Sequence, residues 1–209
     1  MEESSNFAAR ILIWAVPTIL AIILHEVMHG VAARAFGDDT AARAGRLTLN
    51  PIRHIDPVGT ILIPGMLLFL RLPVFGYAKP VPVNFARLSP RRFGMIVVAA
   101  AGPLTNLTLA MLSARALQGV IQSAALTTIA RMLYASVLVN VMLAVFNLFP
   151  LLPLDGGRVL AGLLPLGLAR GYARLEPYGF LILFLLLYTG TVGVVISPII
   201  GAIARTLLG

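Results

Sequence analysis

The chain has 209 residues, 59% of them hydrophobic and only 11% charged, with a positive mean hydropathy. A soluble domain carries about 25% charged residues, so this composition excludes one and indicates a single integral membrane domain over residues 1–209. The net charge of +8 is scattered between apolar runs, so no nucleic-acid partner is expected, and zero cysteines exclude disulfides and thiolate metal sites.

Five apolar blocks follow one another, at about 11–35, 58–72, 93–117, 132–152 and 178–208. The residues before the first, Met1-Glu2-Glu3-Ser4-Ser5, lack the positive start of a signal peptide, so block one reads as a retained membrane helix. Blocks one, three and four approach the roughly 20 residues that cross a hydrocarbon core. Block two is shorter and contains Pro64-Gly65, which predicts a tilted helix or a re-entrant hairpin. Block five is interrupted by "TGTVG" (189–193), which predicts two short spans rather than one. Between blocks, "GRLTLNP" and "GYAKPVPVN" alternate like strands. The expected fold is an all-α polytopic bundle of about 4–6 membrane segments, with short β segments near the active site.

Twelve of the sixteen basic residues fall in three loops, 34–57, 71–92 and 158–176. The positive-inside rule places these loops in the cytoplasm and the N-terminus outside. Loops 34–57 and 71–92 can share a side only if block two enters and returns or pairs with another segment.

Within the first block, "ILHEVMHGVA" (23–32) carries three ionisable groups. On a helix His25 and His29 stand one turn apart on one face, a spacing that grips a single zinc ion. Glu26, about 100° round the helix, can reach a water there and act as general base, the H-E-x-x-H arrangement. Zinc acidifies such a water and polarises the carbonyl under attack. The bland alternative is a hydrogen-bonded core histidine pair. The membrane setting argues against it, because a charge at the bilayer centre costs about 3 kcal/mol or more. Counted from Ile11 at 1.5 Å per residue, His25 lies roughly 20 Å deep, towards the cytoplasmic side.

A catalytic zinc usually takes three protein ligands. The candidates for the third are His54, Asp56, Asp155 and Glu176, while Asp38 and Asp39 read as a hydrophilic turn. Asp155 is favoured by its setting in "NLFPLLPLDGGR" (147–158), where prolines and glycines break an apolar span. Broken backbone at membrane depth is tolerated where it lines a polar cavity.

HEVMH (25–29) and LDGGR (154–158), each on a membrane segment, together resemble the site-2 protease family of intramembrane zinc metalloproteases. "AGPLTN" (101–106) and the Asn147-x-x-Pro150 approach to LDG also resemble that family's core. The likeness spans about residues 11–160, and "GRLTLNPIRHIDPVG" (45–59) and "FGYAKPVPVN" (75–84) look like its compact bacterial and archaeal branch. It implies one Zn2+ per chain on His25, His29 and Asp155, with Glu26 activating water and Asn147 positioning substrate or oxyanion. Asn140, two turns before Asn147, reads as packing, and His54 as a loop histidine capping or bonding Asp56. The substrates implied are transmembrane proteins in the lipid bilayer of the cytoplasmic membrane, cut near the cytoplasmic face. These 209 residues leave no room for the PDZ domain of larger relatives, and the "GYAKPVPVN" stretch is a candidate for pairing with a substrate strand. Two other readings compete. A non-catalytic zinc-binding pseudoprotease would be expected to lose Glu26 or a ligand, and a metal-ion transporter would spread its polar groups over successive spans.

Overall fold

The computed structural model describes residues 2–72 and 76–209. Helix α1 (Glu2–Ala35) is followed by a single turn, α2 (Thr40–Arg43), and by a short α3 (Ile63–Phe69). Next come α4 (Arg91–Val120) and α5 (Thr127–Asn147), then the short α6 (Asp155–Leu163) and α7 (Leu166–Ala173). The chain closes with α8 (Gly179–Tyr188) and α9 (Thr191–Leu208). Among the described residues, four stretches are long and apolar enough to cross a membrane: Ala9–Ala35, Arg91–Val120, Thr127–Asn147 and Thr191–Leu208.

Helices α1, α4 and α5 form the central bundle. Residues 25 and 29 of α1 face 106 and 98 of α4, so these two helices run antiparallel. Ser113 and Asn106 of α4 face Ser136 and Asn140 of α5, so that pair is antiparallel too. Ala110 and Ala114 are buried against Val137, Val141 and Val145, with Ile196, Ile200 and Ile203 of α9 packed outside them. Lipid tails are as apolar as these side chains, so association depends on close approach, which small residues permit. Large side chains such as Leu12, Trp14, Leu104 and Leu112 point outwards instead, as a lipid-facing surface requires.

The last apolar block breaks at Gly190, which takes a left-handed conformation (φ +73°) between α8 and α9. The break falls where two short spans are expected, but the structure supplies one span and one shorter helix. Only α9 has span length, because ten residues of α8 rise about 15 Å, half a hydrocarbon core.

The second block is a π-helical turn, Pro57–Leu62, running into α3. Asp56 caps it by accepting from the backbone N–H groups of Val58 and Gly59. Thirteen residues from Pro57 to Phe69 rise about 20 Å, too little to cross. The chain then doubles back, with Tyr77 N–H donating to Gly59 C=O and Lys79 N–H to His54 C=O.

The β segments expected beside the site are absent: no strand occurs among the described residues. Residues 76–84 form no regular element, and side chains of α1 and the following turn take two of their N–H groups. Val81 N–H donates to Glu26 and Asn84 N–H to Asp38. The "GRLTLNP" alternation likewise resolves into turns, where Asn50 caps the 3-10 turn Pro51–His54 and Thr48 C=O accepts from His54. Phe75, the first residue of the "FGYAKPVPVN" motif, lies outside the described residues.

Candidate metal centre

His25 and His29 project from α1 one turn apart, and Asp155 is the first residue of α6. Their ligating atoms converge. His25 Nε2 lies 3.1 Å from His29 Nε2 and 3.1 Å from Asp155 Oδ2, and His29 Nε2 lies 3.4 Å from that same oxygen. Asp155 reaches the histidines because the chain after α5 turns tightly, Leu151 N–H bonding Phe149 C=O and Leu154 N–H bonding Leu151 C=O. Gly156 and Gly157 let α6 start against that turn. A Cβ on Gly156 would overlap Leu148 C=O, and one on Gly157 would overlap the Leu151–Leu152 peptide.

Proton placement shows what this cluster lacks. His29 Nδ1 is 2.7 Å from Val98 C=O, an acceptor only, so Nδ1 carries the proton. His25 Nδ1 is 2.6 Å from Asn106 Oδ1. The Asn106 amide cannot be reversed, because its Nδ2 donates to Ala21 C=O and to Asn140 Oδ1. Asn140 is held in turn by donating to Ser136 C=O and Oγ. His25 Nδ1 is therefore a donor as well, and each imidazole, in the neutral form a metal requires, turns a bare Nε2 lone pair towards Asp155. Asp155 Oδ2 is buried with no hydrogen-bond partner. Three lone-pair atoms facing one another repel unless a cation sits among them.

The separations suit zinc. A tetrahedral ion with Zn–N and Zn–O bonds near 2.0–2.1 Å holds its ligand atoms about 3.3 Å apart. The space is also reserved. A Cβ on Gly102 of α4 would come within 2.5 Å of His29 Nε2 and 2.6 Å of His25 Nε2, so only glycine leaves that position open. Among the described residues, His25, His29 and Asp155 form the one group of three such side chains able to hold a metal ion.

Glu26 is half-buried beside this cluster, and its Oε2 accepts from Val81 N–H at 2.8 Å. That bond ties the carboxylate to the stretch 79–83, whose Val81 side chain also lies against Gly30 of α1.

The other candidate ligands are placed elsewhere. His54 is buried, bonds Thr48 C=O through Nε2, and does not pair with Asp56, whose carboxylate caps the π-helical turn. Glu176 pairs with Arg158 at 2.9 Å. Asn147 is half-buried at the end of α5 and donates to Leu143 C=O in its own helix. Three residues carry more than their sequence positions signalled. Asn106 sets the tautomer of His25, Asn140 holds Asn106 rather than merely packing, and Asp38 is wholly buried rather than solvated. The available clue was an amide in the middle of each of two membrane spans, since polar groups there must find partners.

Comparison with known proteins adds a second line of evidence. The profile of peptidase family M50 matches residues 112–189, a stretch holding Asp155 but not the two histidines. A protein of Bacillus subtilis is 38% identical over 190 residues, covering 88% of this chain and 84% of its own. One of Mycolicibacterium smegmatis is 30% identical over 172 residues, covering 82% of this chain and 64% of its own. Both bear the name "Putative zinc metalloprotease", YwhC in the first and Rip2 in the second. No solved structure matches the chain.

Proposed function

The chain belongs to peptidase family M50, and from that premise we propose that it is a zinc metalloendopeptidase that cuts transmembrane segments of other membrane proteins. The observation that carries this reading is the convergence of His25 Nε2, His29 Nε2 and Asp155 Oδ2 inside a bundle of span-length helices. Three protein ligands leave a fourth position for water or substrate, the pattern of catalytic rather than structural zinc.

Zinc bound by these residues supplies Lewis-acid polarisation of the scissile carbonyl and acidification of water. Glu26 takes the proton from the attacking water and passes it to the leaving amine, the role its place between the two histidines supports. The Val81 N–H bond fixes one carboxylate oxygen and leaves the other to carry the proton. Asn106 keeps the His25 Nε2 lone pair directed at the metal, and Val98 C=O does the same for His29. Asn147 completes the set as a substrate-positioning residue. Its Nδ2 has two protons, and Leu143 C=O takes one, which leaves the second to hold a substrate carbonyl.

The protein is a multi-pass membrane protein, and the twelve basic residues in three loops support a cytoplasmic-membrane location with the site towards the cytoplasm. The test is cleavage of a synthetic transmembrane peptide by purified protein of known zinc content. About one zinc per chain, activity lost on chelation and regained with zinc, and no activity in Asp155→Ala are expected. Cleavage that survives complete removal of zinc would refute the proposal.

A further inference from the structure

A cavity of about 400 Å³, to which no metal-centre residue contributes, is lined by Arg46, Arg53 and Lys79 together with Ile52, Ile55 and Pro82. No carboxylate lines it, and none of the three cations is ion-paired among the described residues. Arg46 is the unusual member. Its residue is 7% exposed, its guanidinium gives one N–H to Lys79 C=O at 2.7 Å, and its Nε is buried with no partner. A buried guanidinium without a counter-ion is costly, because the desolvation of its charge is not offset. The planar fork of an arginine matches the oxygens of a phosphate, and the exposed cations Arg53 and Lys79 add to the attraction for an anion.

A second cavity of similar size abuts the first at Ile55, which lines both. It is apolar and runs along α1 past Ile19 and Ile22, beside Pro64 and Tyr77. Ile19 is exposed on the surface of a span-length helix, so this groove opens where acyl chains lie. We propose that Arg46, Arg53 and Lys79 bind the phosphate of an anionic phospholipid whose acyl chain occupies the adjoining apolar groove. Basic pockets beside membrane segments recognise anionic headgroups in this way, with each cation contributing separately. An acidic residue of a protein substrate is the weaker fit, since its carboxylate brings the same single charge as a phosphodiester but no acyl chain for the adjoining apolar groove. The inference does not rest on the peptidase reading.

The experiment is native mass spectrometry of the detergent-purified full chain, titrated with phosphatidylglycerol, with phosphatidylcholine of the same acyl chains, and with inorganic phosphate. One phosphatidylglycerol per chain is expected, bound about tenfold or more tighter than phosphatidylcholine. Arg46→Gln should weaken it, and so should Arg53→Gln combined with Lys79→Gln, which alters only exposed side chains and leaves the Arg46 packing intact. Zinc content at the wild-type level verifies that the variants are folded. Equal affinity for the two lipids, or unchanged phosphatidylglycerol affinity in the double variant, would overturn the site. Inorganic phosphate competing as well as the lipid would make it a soluble-anion site. Displacement of the lipid by an acidic peptide at lower concentration would make it a substrate contact.

Discussion

Asn106 decides which nitrogen of His25 is free: its Oδ1 lies 2.6 Å from His25 Nδ1, and its own Nδ2 is committed to Ala21 C=O and Asn140 Oδ1. Ser136, Asn140, Asn106 and His25 thus form one hydrogen-bonded chain that crosses three helices and ends at the metal position.

Replacing Asn106 by leucine should release the His25 ring while keeping the helix and its volume. Zinc affinity is expected to fall about 10–100-fold, the usual cost of losing an orienting partner. Asn106→Asp keeps an acceptor facing Nδ1 and should retain more of the affinity than Asn106→Leu. Competition against a zinc indicator measures both, and equal affinity in wild type and Asn106→Leu would remove Asn106 from its positioning role.

Gly102→Ala should act differently, since alanine favours helix. Its methyl would fall on the space between the two Nε2 atoms. Secondary structure should therefore persist while zinc content drops towards zero. Circular dichroism with metal analysis separates the two effects, and normal zinc content would show that the space is not the metal position.

Asp38 offers a pH test outside the membrane-spanning helices. Its burial alone would raise the carboxyl pKa, but hydrogen bonds from the Thr40 hydroxyl and the Asn84 and Thr40 N–H groups, with Arg87 nearby, hold it below the ordinary value. A lowered folded-state pKa contributes stability above the unfolded value of about 3.9 and loses it as pH falls through the folded value. Asp38→Asn should cost about 1–3 kcal/mol at neutral pH, because it sets an amide against backbone donors. The gap in thermal midpoint between wild type and variant should narrow below about pH 4. A gap independent of pH would show that the Asp38 charge contributes nothing.

The proposed orientation makes a separate prediction. Reporters fused after residue 45 or 170 should read cytoplasmic, and one placed within 118–128 should read external. A cytoplasmic reading at 118–128 would reverse the proposed side of cleavage.

Legibility in the sequence follows from how local each relationship is. His25, Glu26 and His29 lie within five residues of one helix, so their shared face is a matter of helix period alone. Asp155 stood out only through the prolines and glycines around it, and the structure brings it to the histidines across 130 residues of chain. Asn106 lies 81 residues from His25, and no spacing rule connects them. The alternation in 76–84 misled because it reports side chains, whereas strand formation depends on where backbone N–H groups find acceptors. Here Glu26 and Asp38 take two of them. Asp38 and Asp39 look alike in sequence, yet one turns inward to staple Asn84 and the other pairs with Arg43 and Arg87 outside.

If Glu26 moves the proton in peptide hydrolysis, Glu26→Gln should remove turnover while leaving the metal in place. Glutamine keeps the size and can still accept from Val81 N–H, while His25, His29 and Asp155 are untouched. Cleavage of a transmembrane peptide should be compared between wild type and variant, each with its zinc content measured. Equal zinc, intact substrate binding and turnover lower by about 10² or more are expected. Equal rates at equal zinc content would contradict proton transfer by Glu26.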